Sequence, residues 1–315
     1  MKYMGSKRAM LKNGLGDLLE KEVTKASRFV DLFAGSGAVS IHVAKNFQVP
    51  VISVDLQNFS RVLSSSVVSR VSRVNWGRIW KNWELSASKI SSDIKAPSYR
   101  SLTKKNVQHF RSWCTQQSDL PITCAYGGHY FSPQQSVNID SLRATIPLRE
   151  PYRGVALAAL IRAASRCVAA PGHTAQPFQP TKTALPFLKE AWDRNIHEHT
   201  KNALEELADQ FARKKGGAIV CDANQYADRI RHSDLVFIDP PYSGVHYSRF
   251  YHVLETISQG ECGIVTGTGR YPDYDLRPRS SFSVKTESVK ALGDLLQKIG
   301  SKGATAILTF PDHDC

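Results

Sequence analysis

Residues 28–55 constrain the fold more than any other part of the chain. The run RFVDLFA at 28–34 is a short apolar strand, GSG at 35–37 is a tight turn, AVSIHVAK at 38–45 is helical, and VPVISVD at 49–55 is a β-branched strand ending in an acid. A strand, turn, helix and strand in this order bury their apolar faces when the two strands lie parallel and the helix crosses over them. That is the first half of a doubly wound α/β sheet. Further apolar runs at 218–223 (AIVCDA) and 234–239 (DLVFID) also end at or near acids, and another at 304–310 (ATAILTF) follows a helix predicted over 283–299. Ligands of such sheets bind at the carboxyl ends of the strands. Asp31, Asp55, Asp222 and Asp239 lie at or just before those ends. A doubly wound sheet normally continues beyond a strand such as 304–310. The sequence therefore leaves three expectations open: a truncated chain, a smaller sheet, or an edge completed by another chain.

Composition narrows the class. The chain has 315 residues, 42% hydrophobic and 22% charged, which is ordinary for a globular protein of one large or two moderate domains. No apolar run reaches the ~18 residues of a membrane span, and the N-terminal MKYMGSKRAM has no apolar segment of a secretory signal. Six scattered cysteines form no C-x-x-C pair and no His/Cys set at zinc spacing, so reduced thiols, a cytoplasmic location and no metal are expected. The formal charge is +13, and residues 60–215 carry 23 Lys+Arg against 11 Asp+Glu, a net +12, together with all five tryptophans. A basic, aromatic-rich segment suits a polyanion partner. The plainer alternative is a helical domain with basic faces and tryptophans in its core. Within it, 60–83 reads as helical, 91–120 as polar and loop-rich, 155–169 as an apolar helix, 171–186 as an extended loop with four prolines, and 191–215 as an amphipathic helix.

Two stretches carry chemistry. Gly35 and Gly37 permit a tight turn that brings a ligand close to backbone N–H groups at a helix start. Read as G-x-G-x-x-G, the third glycine is replaced by Ser40, which speaks against a dinucleotide. Asp55, at the end of the next strand, suits a ribose hydroxyl pair, so the two features together point to an adenosine-containing cofactor. In DPPY at 239–242, the Asp239 carboxylate and the rigidly held Pro240 carbonyl are two acceptors suited to an amino group with two hydrogens. Pro241 ends the strand, and Tyr242 offers a face for stacking a planar heterocycle. Two hydrogen bonds to an exocyclic amine pull it toward tetrahedral geometry and free its lone pair for direct attack on an electrophilic methyl group. After the motif, HYSRFYH at 246–252 is aromatic and basic. Tyr247 and Arg249 are candidates for contacting a displaced strand or phosphate, while Phe250 and Leu254 fit the buried face of a packed helix.

KYMGSKR at 2–8, FAGSG at 33–37 and DPPY at 239–242 resemble, in that order, the motifs of the Dam-like (D12 class) adenine-N6 DNA methyltransferases. The resemblance covers about half the chain. It implies a Rossmann-like methyltransferase sheet with S-adenosylmethionine as cofactor and a large, mainly helical inserted target-recognition region. The catalytic domain would span 1–59 and 216–315, and the basic insert 60–215. It further implies that Tyr3, Lys7, Phe33, Gly35, Gly37, Asp55, Asp222 and Asp239 serve the cofactor. Asp239, Pro240, Pro241 and Tyr242 would form the catalytic motif, acting on an adenine flipped out of double-stranded DNA. HTAQPFQPT at 173–181 is loosely similar to the loop that approaches the target pocket, which nominates Gln176 and Phe178. Methylation of cytosine N4 uses the same amine chemistry and is the near alternative. A non-catalytic DNA-binding subunit working with a restriction or defence partner is the alternative from another class. A nicotinamide-dependent dehydrogenase is disfavoured by both Ser40 and the DPPY motif.

Overall fold

Five parallel strands form the central sheet of the protein, as described by a computed structural model for residues 7–241 and 248–310. In chain order the strands are β1 (Arg28–Asp31), β2 (Val51–Asp55), β3 (Gly217–Val220), β4 (Asp234–Ile238), β5 (Val265–Thr266), β6 (Tyr271–Pro272) and β7 (Thr305–Leu308). The sheet runs β3-β2-β1-β4-β7, and β5 and β6 make a separate two-stranded ladder. The chain leaves β1 toward β2 and β3 on one side, then crosses to β4 and β7 on the other. The order therefore reverses between β1 and β4, the switch point at which doubly wound sheets open a crevice. Registers are explicit: Asp31 lies opposite Ser53 on β2 and Phe237 on β4, and Ile238 lies opposite Leu308 on β7.

The central strands β1 and β4 are buried on both faces and β2 nearly so, while the outer strands β3 and β7 are more exposed. Phe29, Leu235, Phe237 and Ile307 point into one apolar layer with Leu15, Leu19, Val39 and Val43. Val30, Val236 and Ile238 alternate into the other with Leu295, Ile299 and Tyr226. This two-residue alternation explains why β4 reads as an unbroken apolar run. At its start, Arg28 of β1 pairs with the fully buried Asp234 of β4, Nε to Oδ1 at 3.0 Å, and the Arg231 N–H adds a bond to the same carboxylate at 2.8 Å.

The chain divides into two compact units. Among the described residues, the sheet unit comprises 7–73, 209–241, 248 and 278–310, and the helical unit 74–208 and 249–277. The division lies inside the 60–215 span at both ends, because the helix Asn58–Val68 packs on the sheet. The segment 249–277 also belongs with the helices. Six basic residues of that span (Arg61, Arg70, Arg73, Arg213, Lys214 and Lys215) thus lie in the sheet unit. Counted over the described residues, the net charge is +8 for the sheet unit and +6 for the helical unit.

Within the helical unit, Tyr152–Cys167 is buried on nearly every side and packs against Ile196–Ala208. Trp80, Trp83 and Trp192 are core residues. Trp83 spans from the helix Trp76–Asp93 to donate its Nε1–H to the Leu142 carbonyl at 2.8 Å. For these three tryptophans the plainer reading of the sequence is the correct one. Several arginines are structural as well. Arg143 donates to the Ile257, Ser258 and Gln259 carbonyls at 2.9–3.1 Å, closing the end of the helix Ser248–Gln259. In the sheet unit, Arg70 ties the Ser66, Ser72 and Gln210 carbonyls together. Among the described residues, no helix is long and apolar enough to cross a membrane.

Candidate active site

The candidate site is built at the carboxyl ends of β1, β2, β4 and β7, all in the sheet unit. After β1 the backbone turns through Gly35 (φ 52°) and Gly37 (φ 76°) into the helix Ala38–Asn46. Both values lie in the left-handed region that side chains resist. At Gly37 a Cβ would also sit 2.8 Å from Ser64 Oγ and 3.2 Å from Ile41 Cδ1, both side-chain ends that can rotate away, so the positive φ is the constraint that calls for glycine.

Asp55 latches this turn to the end of β2. Its carboxylate accepts from the Gly35 N–H at 2.8 Å and the Gln57 N–H at 2.9 Å, while Ala34 N–H donates to the Val54 carbonyl at 3.0 Å. Enclosure pushes the Asp55 carboxyl above its ordinary range against the pull of these donors. Asp31, 1% exposed, accepts from Ser40 Oγ at 2.7 Å and more weakly from the Phe33 N–H. Ser40 thus occupies the third-glycine position because its hydroxyl serves a buried carboxylate. Burial pushes the Asp31 carboxyl up to about 7, and the charges of Asp239 and Asp55 push in the same direction. Phe33 meets Phe282 edge to face at 4.9 Å.

Asp239 follows β4 directly. Its Oδ1 takes the Lys7 ammonium at 2.9 Å and the Thr309 hydroxyl at 2.6 Å. Pro240 is buried and Pro241 half-buried beside it. Lys7, a candidate for contacting the cofactor, pairs with the motif carboxylate. Thr309 is a site residue that the sequence did not reveal. Only the position of β7 next to β4 brings it within reach.

The remaining candidates are more dispersed. Asp222 caps the short helix Ala223–Tyr226, accepting from the Asn224 and Gln225 N–H groups at 2.8 and 3.2 Å. Gln176 is exposed, in the helical unit. Phe178 packs against a small core of Val107, Phe110, Leu188 and Trp192, and its ring lies 5.8 Å from that of Phe187. Arg249 is exposed at the start of its helix, its guanidinium 4.8 Å from the centre of the Tyr271 ring. Leu254 is buried, as its place on the packed face predicts, and Phe250 is partly buried. Tyr3, Tyr242 and Tyr247 lie outside the described residues.

Three carboxylates on neighbouring strand ends determine what this crevice can hold. Lys7 offsets the charge of Asp239, and burial above all, with smaller contributions from Asp239 and Asp55, raises Asp31. An acid at the end of β2, latched to a glycine turn, suits the hydroxyl pair of a sugar.

Comparison with known proteins agrees with this geometry. The chain is 24% identical over 312 residues to the modification methylase StsI of Streptococcus sanguinis, covering 96% of this chain and 42% of that protein. It is 27% identical over 311 residues to the type II methyltransferase M.FokI of Planomicrobium okeanokoites, covering 95% and 43%. It is also 24% identical over 316 residues to the modification methylase LlaI of Lactococcus lactis subsp. lactis, covering 95% and 44%. The chain spans less than half the length of these curated relatives. The family model of the D12 class N6 adenine-specific DNA methyltransferases matches residues 3–305, and with the glycine turn, the strand-end carboxylates and the Asp-Pro-Pro corner in place, the chain belongs to that family.

Proposed function

We propose that the chain transfers a methyl group from S-adenosylmethionine to the exocyclic N6 amine of an adenine flipped out of duplex DNA. The observation that carries this reading is the position of Asp239. Its carboxylate stands at the end of β4, on the switch-point side of the sheet, one strand from the glycine turn that Asp55 latches. A cofactor held over the turn and an amine held by Asp239 would then face each other across the crevice between β1 and β4.

Asp55 and the backbone of 35–37 would hold the sugar, and Asp31 and Asp239 would offset positive charge. When bound, S-adenosylmethionine supplies an electrophilic methyl group. The chain's own contribution is to hold the amine and to take up charge. Asp239 accepts one amine hydrogen, the Pro240 carbonyl is a rigid second acceptor, and Tyr242 is proposed to stack on the base. An amine that gains a methyl group must lose a proton, and a carboxylate already bonded to that hydrogen is placed to receive it. The positive charge of both units favours approach to a polyphosphate backbone.

The test is methyl transfer from labelled S-adenosylmethionine to duplex DNA by the purified chain, with digestion to nucleosides to identify the product. N6-methyladenine is expected, with activity abolished in Asp239→Ala. Recovery of N4-methylcytosine would replace adenine with cytosine in this reading. Full activity in Asp239→Ala would remove the carboxylate from the mechanism.

A further inference from the structure

Thr309 and Lys7 approach the motif carboxylate from two directions and meet on one oxygen. Thr309 immediately follows β7, where Ile238 and Leu308 are the last paired residues. Its N–H donates to the Ile238 carbonyl at 3.0 Å, extending the ladder one step, so that Thr309 stands beside Asp239. Its hydroxyl then donates to Asp239 Oδ1 at 2.6 Å, and Lys7 Nζ reaches the same Oδ1 at 2.9 Å. The threonine is buried, and the lysine and aspartate side chains are 18% and 15% exposed. These contacts therefore sit at the rim of the crevice, partly shielded from water.

We propose that Thr309 is a positioning residue for methyl transfer, fixing the plane of the Asp239 carboxylate through Oδ1 while Lys7 balances its charge. This rests on the functional reading above. A carboxylate on a single-bonded side chain rotates freely unless something holds it, and an acceptor that must meet an amine in line with a methyl donor tolerates little error. A displacement of about 1 Å in such a group costs on the order of 100-fold in rate. One donor on Oδ1 would leave a hinge. Two donors, one from a rigid strand end and one from the segment before the helix Arg8–Lys12, restrict that rotation. The arrangement also gives an edge strand a role in catalysis without any contact with the base.

The test compares wild type with Thr309→Val, which preserves shape and removes the hydroxyl, and with Thr309→Ser, which restores the hydroxyl. Steady-state methyl transfer is measured together with calorimetric binding of S-adenosylmethionine. For Thr309→Val the expected result is a fall in kcat of roughly 10- to 100-fold, with KM for DNA and cofactor affinity each within about twofold of wild type. Thr309→Ser should recover most of kcat. Wild-type kcat in Thr309→Val overturns the positioning role. So does a loss that appears equally in cofactor affinity, because that marks a structural residue, and so does failure of Thr309→Ser to recover the rate. A wild-type chain that binds cofactor but transfers no methyl group overturns the functional reading itself, and the positioning role with it.

Discussion

Replacing Asp31 with asparagine should change how the sheet responds to pH. Asp31 is buried at the end of β1, and burial pushes its carboxyl up to about 7, against ~3.9 for an aspartate in an unfolded chain. Between those two values the native state holds a proton that the unfolded state has released. Unfolding is then linked to proton release, and stability falls as pH rises through that window. Integrated from pH 5 to pH 8, this single group lowers stability by about 2–3 kcal/mol. Asparagine has the same shape, keeps an acceptor for Ser40 and does not titrate. The stability of Asp31→Asn relative to wild type should therefore rise by about 2–3 kcal/mol over the same interval, on the order of 100-fold in an opening equilibrium. Tryptophan fluorescence is the wrong probe, since all five tryptophans lie in the helical unit. Hydrogen exchange of peptides covering β1 and β4, corrected for intrinsic rates, reports the sheet directly. Parallel pH profiles for wild type and variant would refute the argument, because they would mean that Asp31 is ionised across the whole range in the folded protein.

Two further substitutions probe the frame around the site. Arg28→Met leaves the buried Asp234 carboxylate without its cation and should cost about 3–5 kcal/mol. Arg28→Met with Asp234→Leu should recover most of that loss in urea denaturation, and an equal loss in the double variant would count against the ion pair as the cause. Trp83→Phe removes the donor to the Leu142 carbonyl and should destabilise the helical unit by about 1–3 kcal/mol. Its affinity for DNA should be unchanged in a fluorescence anisotropy titration, and a selective loss of DNA binding would mean that Trp83 reaches the nucleic acid.

Much of the sheet was legible because its signals are local. A strand buried on both faces needs a continuous apolar run, as in Asp234–Ile238, and a turn through positive φ needs glycine, as at Gly35 and Gly37. Proline cannot continue a ladder, so Pro240 and Pro241 mark where β4 stops and leave Asp239 at its end. Each of these constraints acts within a few residues, and a single sequence displays them. The helical unit was less legible. Helix boundaries there depend on caps such as the reciprocal Thr103–Asn106 pair, and the roles of its tryptophans and arginines depend on partners far along the chain. Arg143 looked like any other basic residue of a positively charged span, yet it closes a helix more than one hundred residues away.

From sequence alone came the parallel α/β architecture, the glycine turn, and an acid followed by two prolines at a strand end. These follow from backbone conformation and two-residue periodicity, which neighbouring residues dictate. Tertiary structure decided which carboxylates share a crevice, that Ser40 serves Asp31, that Lys7 and Thr309 hold Asp239, and how the positive charge is divided between the units. The physical reason is the crossover connection. In a parallel sheet, adjacent strands are separated by long stretches of chain, so Thr309 comes to lie beside Asp239 only once β7 has taken its place next to β4.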